Sequence, residues 1–287
     1  MAKKATSKKT AAKKAAIKRI GAPQRKPESY LTVRAGTAFS LVEYTRQPAT
    51  SFLTQVVEAK NTFDYCKRKF ERSGKLTNEA KDNLQQVTGP LFAATMGHFE
   101  TFQKCLFAGL FDATRLLQDW DPGSWIKSIG EGLDLSIKRL IAYRGQGAQV
   151  GLLIADASNS WHSPSKVNEF FACFGSGPEL FSTEEVRDLE VLWQIRHTLV
   201  HTGGWLTLPD AQKVKRLSKC GDSALAFDEL FMLAFARLMH KIAKNSVGRM
   251  EKKLRPRLRS DLDKYEQDEF DRRLNVSSPS PSFFPNN

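Results

Sequence analysis

An all-α fold is predicted by three observations. Apolar residues recur every three or four positions through several long stretches. Helix-start and helix-stop residues punctuate those stretches. No run of alternating residues is long enough to suggest a sheet.

Along the chain the elements follow from these signals. Residues 1–29 are low in complexity, with basic pairs Lys3-Lys4, Lys8-Lys9, Lys13-Lys14 and Lys18-Arg19 spaced by Ala, Thr and Ser and, once, Ile17. Such a segment has too little apolar surface to form a core and is expected to be disordered when free. Pro23 and Pro27 separate it from a mixed lead-in over 30–50. From about Thr50 to Arg72, Phe52, Val56, Ala59, Phe63, Cys66 and Phe70 make a helical stripe that Gly74 ends. A second long helix is expected from about Asn78 to Leu117, kinked or split at Gly89-Pro90 because proline removes a backbone donor. Shorter helices are expected at 125–129, 132–144 and 165–174, followed by a break at Gly175-Ser-Gly-Pro178. Ser182-Thr-Glu-Glu185 opens the next helix with a cap and first-turn acids, and Gly203-Gly204 stops it beyond Val200. A last strong helix is expected over 227–254, with Leu230, Leu233, Ala234, Leu238 and Ile242 facing inward. Residues 255–274 read as a charged helix and 275–287 as a disordered end.

The 287 residues suffice for one large domain or two small ones, and the hydrophobic (41%) and charged (26%) fractions are ordinary for a globular chain. The net charge of +13 is not ordinary. Ten positive charges lie within residues 1–27, before the first acid at Glu28, so the other 260 residues carry only +3. The basicity therefore belongs to a tail. Its commonest use is nonspecific, salt-sensitive attraction to nucleic acid, through Lys3, Lys4, Lys8, Lys9, Lys13, Lys14, Lys18 and Arg19. A solubilising or targeting extension is the alternative. The four cysteines are scattered without C-x-x-C, so they read as reduced, and no Cys/His cluster has the spacing of a zinc site. No metal or cofactor is expected. No apolar run reaches membrane-spanning length and no secretory h-region follows the basic start, which makes a cytoplasmic protein the expectation.

The sharpest chemical signal is Leu192-Trp-Gln-Ile-Arg-His-Thr-Leu-Val-His-Thr-Gly-Gly204. Arginine offers a permanently charged, planar fork of donors suited to phosphate. Histidine titrates near neutral pH, as a general acid or base must. On an ideal helix the side chains of Arg196 and His201 leave about 140° apart, so they converge only if the helix ends or tightens near His201.

This segment resembles the motif of the HEPN superfamily (higher eukaryotes and prokaryotes nucleotide-binding). In that family Arg, a polar residue, a few mostly apolar residues and His occur near a helix end. Arg196 and His201 take the two fixed positions. His197 takes the polar slot, where Asn is more usual. Glu169-Phe-Phe-Ala-Cys-Phe-Gly175 and His98-Phe-Glu-Thr-Phe-Gln-Lys-Cys-Leu106 are similar in placement to the family's preceding helices. The likeness spans roughly 90–250, but only the Arg–His segment is specific. It implies a HEPN-like helical domain over 90–254, preceded by a helical extension over 30–89 and followed by a charged helix and tail over 255–287.

What the resemblance implies is a homodimeric, metal-independent endoribonuclease with Arg196, His201 and His197 as catalytic candidates. Glu100 is a supporting candidate, and Asp112 and Arg115 are weaker ones. The RNA's own 2′-OH would attack the adjacent phosphate, leaving a 2′,3′-cyclic phosphate. Phage defence or growth arrest as a toxin, with a cognate inhibitor or antitoxin, is the implied setting. Two other readings stand beside it. One is a non-catalytic helical module that binds nucleic acid or a protein partner. The other is a nucleoid- or chromatin-type protein driven by its tail. His98 reads as a hydrogen-bonded core residue and Trp193 as core. Gly145-Gln-Gly147-Ala-Gln-Val-Gly151 is only a near miss to a dinucleotide loop.

Overall fold

The computed structural model describes residues 41–119, 121 and 150–278. The expected helices at 125–129 and 132–144 and the basic tail lie outside the described residues, as does 279–287. The described chain is mainly helical: α1 (Leu41–Arg46), α2 (Pro48–Phe70), α3 (Asn78–Ala113), α4 (Val150–Ala157), α5 (Pro164–Phe171), α6 (Thr183–His201), α7 (Leu208–Gln212), α8 (Phe231–Leu254) and α9 (Lys264–Arg273). No helix among the described residues is long and apolar enough to cross a membrane.

The axis of the fold is α3. Thr77 caps it by accepting from the Ala80 N–H, and it runs unbroken through Gly89-Pro90. Its aromatic side chains reach each neighbour in turn. Phe92 meets Phe231 and Phe235 of α8, Phe99 meets Phe52 of α2 and Trp193 of α6, and Phe107 meets Trp161, Phe171 and Phe174. These ring contacts sit in one buried cluster running from Tyr44 to Leu274. The expected boundary between 89 and 90 therefore falls inside a helix. Residues 41–75 pack on the core, since α2 and α3 form a hairpin closed by a turn at Ser73-Gly74.

Three expectations need correction. First, α8 starts at Phe231 and buries Met232, Phe235, Ala236, Met239, Ile242, Ala243, Val247 and Met250. Leu230 and Ala234, expected inside, are exposed, while Leu233 and Leu238 are half-buried. Two apolar stripes compete at the start of this helix. Only the one through Met232 continues for its whole length, because Arg237, Lys241 and Lys244 interrupt the other. Second, a small antiparallel pair exists, β1 (Trp205–Leu206) with β2 (Ser223–Ala224). At two residues each, such strands leave no alternation to detect.

Third, residues 255–274 are not one helix. A tight turn over Arg255–Arg257 precedes an extended stretch, and only Lys264–Arg273 is α-helical. The segment is no appendage either. Leu262, Phe270 and Leu274 enter the core, and α9 packs on α1 and α3. The chain after α9 is pinned through residue 277: the Thr50 hydroxyl donates to Asn275 O (3.3 Å) and accepts from the Ser277 N–H (3.2 Å).

Candidate functional site

The site is built on α6, and the helix is fixed at both ends. At its start Ser182 Oγ accepts from the Glu185 N–H (3.3 Å) while the Glu185 carboxylate accepts from the Ser182 N–H (2.8 Å), a reciprocal cap. The same carboxylate is gripped by Arg249 and Asn245 of α8. Burial pushes the Glu185 carboxyl up, but the hydrogen bonds from Arg249, Asn245 and the Ser182 N–H together hold it below the usual carboxylate range. At its end the Thr202 and Gly204 N–H groups both donate to Thr198 O, and Gly203 (φ +62°) and Gly204 (φ +91°) take the left-handed backbone that turns the chain into β1.

Helical geometry persists through His201. The local tightening that would bring Arg196 and His201 together is therefore absent, and the two leave the axis about 140° apart. His197 and His201, one turn apart, do come together, with ring centroids 4.5 Å apart. His201 is exposed and His197 half-buried. His197 also lies near Asp210 of α7. The Lys213 ammonium and the Thr207 hydroxyl bond this carboxylate and hold it below its usual range, and the charge of His197 adds a smaller share.

Arg196 sits on the flank shared with Trp193, one turn earlier. The Arg196 Nε is enclosed and makes no hydrogen bond, and no carboxylate pairs with the guanidinium among the described residues. The Trp193 indole is 7% exposed, packs on Phe99 and His162, and likewise leaves its N–H unbonded. An enclosed donor without an acceptor costs about 1–3 kcal/mol. The terminal nitrogens of Arg196 are not shut off in this way, and they are the donors that an anion or a nucleic-acid oxygen would reach. Reading Trp193 as core accounts for its ring but not for its N–H.

The other candidates have local roles. Glu100 pairs with Lys104 one turn along α3 (2.7 Å), and no hydrogen bond or ion pair joins it to α6 among the described residues. Asp112 accepts from the Gly151 N–H (2.8 Å) and Arg115 pairs with Glu266 and Glu269, so both fasten neighbouring helices to α3. His98 is half-buried against Tyr44, with rings stacked at 6.3 Å, and burial lowers its pKa. Gly151 belongs to α4 rather than to a phosphate loop.

Sequence reasoning missed the flank of the site. Lys213-Val-Lys-Arg-Leu-Ser-Lys219 puts four cations into seven residues directly after α7. Lys213 and Arg216 are paired with Asp210 and Asp188, whereas Lys215 and Lys219 are exposed without an ion pair among the described residues. The charge run was visible, but its place beside His197 depends on how α7 folds back on α6. No protein-family model, no curated protein and no solved structure matches this chain.

Proposed function

We propose that the protein is a metal-independent endoribonuclease of HEPN type that works as a homodimer. The observation that supports this reading best is the pairing, on one helix end, of a half-buried Arg196 with no carboxylate partner among the described residues and an exposed His201 backed by His197. An arginine so placed keeps its donors for phosphate. In the proposed reaction the 2′-OH gives its proton to His201 and its oxygen attacks the adjacent phosphorus. Arg196 stabilises the charge on the phosphorane. The bond to the 5′-oxygen then breaks, and that oxygen takes a proton from a protonated histidine, giving a 2′,3′-cyclic phosphate and a 5′-OH.

Within one chain Arg196 and His201 diverge, so the reading needs a second copy to complete the site. Half of the eight large exposed apolar side chains among the described residues support such a contact: Val200, Trp205 and Leu208, at or just after the motif in sequence, and Leu230, at the start of α8, are 47–66% exposed. Val200 also lines a cleft of about 420 Å³ with Leu199, Leu225 and Phe227.

The test is cleavage of labelled single-stranded RNA in EDTA. Wild type is expected to leave cyclic-phosphate ends and His201→Ala to leave the RNA intact. Mixing inactive Arg196→Ala with inactive His201→Ala is expected to restore about a quarter of the wild-type sites, because half of the dimers are mixed and each holds one intact composite site. Leu208→Arg and Leu230→Arg are expected to shift the mass seen by light scattering to the monomer and to abolish cleavage.

A second reading is a non-catalytic helical module that binds nucleic acid or a protein partner. The divergence of Arg196 from His201 favours it. Salt-sensitive RNA binding with no cleavage by wild type, and no recovery on mixing, is its signature.

A further inference from the structure

A second cleft, of about 740 Å³, opens between α5, the Gly175–Glu179 loop, the start of α6 and the end of α8. The motif side chains do not line it. Its notable member is Lys253, which is only 8% exposed yet makes no hydrogen bond or ion pair among the described residues. Its ammonium is open to the cleft rather than shut off, and Glu179, which lines the same cleft, acts on it electrostatically. The same wall offers further unused donors. Neither Ser176 nor Gly177 gives its N–H to a protein acceptor among the described residues. Gly177, at φ +133°, brings its backbone against the Lys253 stem, where an added Cβ would lie 3.3 Å from Lys253 Cε. Thr183 begins the 19-residue α6 and lines the cleft, which adds the positive end of a long helix.

The cleft is far larger than an inorganic anion. Its other wall carries hydrogen-bonding groups: the Ser165 hydroxyl, which has no protein partner among the described residues, and Glu179, which accepts from Asn168 (3.0 Å). From this arrangement we infer that the cleft binds a small phosphomonoester with a hydroxyl-bearing body. The phosphate lies between the Lys253 ammonium and the amides of the glycine loop, and the body's hydroxyls face Ser165 and Glu179. Burial lowers the Lys253 pKa, and a bound dianion would restore it. The inference stands apart from the ribonuclease reading, since it uses neither Arg196 nor His201.

Calorimetric titration of the full-length protein with ribose 5-phosphate, and with ribose as the uncharged control, tests it. Wild type is expected to bind the phosphomonoester saturably at one per chain and to ignore ribose. Lys253→Met, which keeps the apolar stem, and Thr183→Glu, which sets a carboxylate at a helix start that tolerates one, are each expected to weaken binding at least tenfold. Both should unfold at temperatures close to wild type, so a lost interaction would not reflect a lost fold. The inference is overturned if wild type shows no saturable heat up to 10 mM ligand, or if Lys253→Met binds as tightly as wild type.

Discussion

Single residues in this protein divide into those that satisfy a neighbour and those left with something to give. Glu185 is of the first kind. Its carboxyl titrates lower folded than unfolded, so its stabilisation is present above the unfolded carboxylate pKa of about 4.3 and is lost as pH falls through the folded value. Replacing Arg249 with Met should therefore cost about 3 kcal/mol in urea unfolding at pH 7, and the deficit should shrink below pH 4 as Glu185 becomes neutral. Trp193 is of the second kind. Trp193→Phe deletes an unbonded indole N–H while keeping an aromatic ring, so urea unfolding should show a change within about 1 kcal/mol of zero. The cap at Ser182 and Glu185 was legible in the sequence because it is a local pattern four residues long. That Arg196 lacks a carboxylate partner among the described residues was not legible, because pairing depends on which acids the rest of the chain brings near.

At the scale of elements, periodicity revealed where helices run more reliably than which way they face. The limits of α2, α3 and α6 follow the apolar spacing and caps within a few residues. The start of α8 carries apolar side chains around most of its circumference, and spacing alone could not choose the buried stripe. Close approach is equally invisible from spacing. Gly151 lies so near α3 that a Cβ there would stand 2.2 Å from Ala108 O, against main-chain atoms that cannot step aside. Gly151→Ala must lift α4 off α3 and break the Asp112 hydrogen bond. It should destabilise by about 3 kcal/mol or more, read as a lowered midpoint in thermal unfolding.

For the whole molecule, the separation of a basic tail from a nearly neutral body came straight from the charge distribution. Removing residues 1–29 should weaken RNA binding and flatten its salt dependence, by about 0.7 in log–log slope for each single-strand phosphate that the tail neutralises. Cleavage of a short RNA at saturating protein should persist. A protein that lost every activity with its tail would fit the nucleoid-type reading instead. The all-α class was readable because helices announce themselves within a dozen residues. The packing of 255–274 into the core was not, because that stretch is mostly charged and its few apolar anchors, Leu262, Phe270 and Leu274, form no continuous stripe.

The pinning of Asn275 and Ser277 on Thr50 has a consequence for how the protein is made. Contacts spanning more than two hundred residues carry a large loop-closure cost and form late. On the ribosome α1 and α3 must wait, with part of their apolar surface uncovered, until α9 has been synthesised and has left the exit tunnel. A nascent chain stalled before residue 262 would offer that surface to chaperones and proteases, so α9 acts as the latch that ends the vulnerable phase of synthesis.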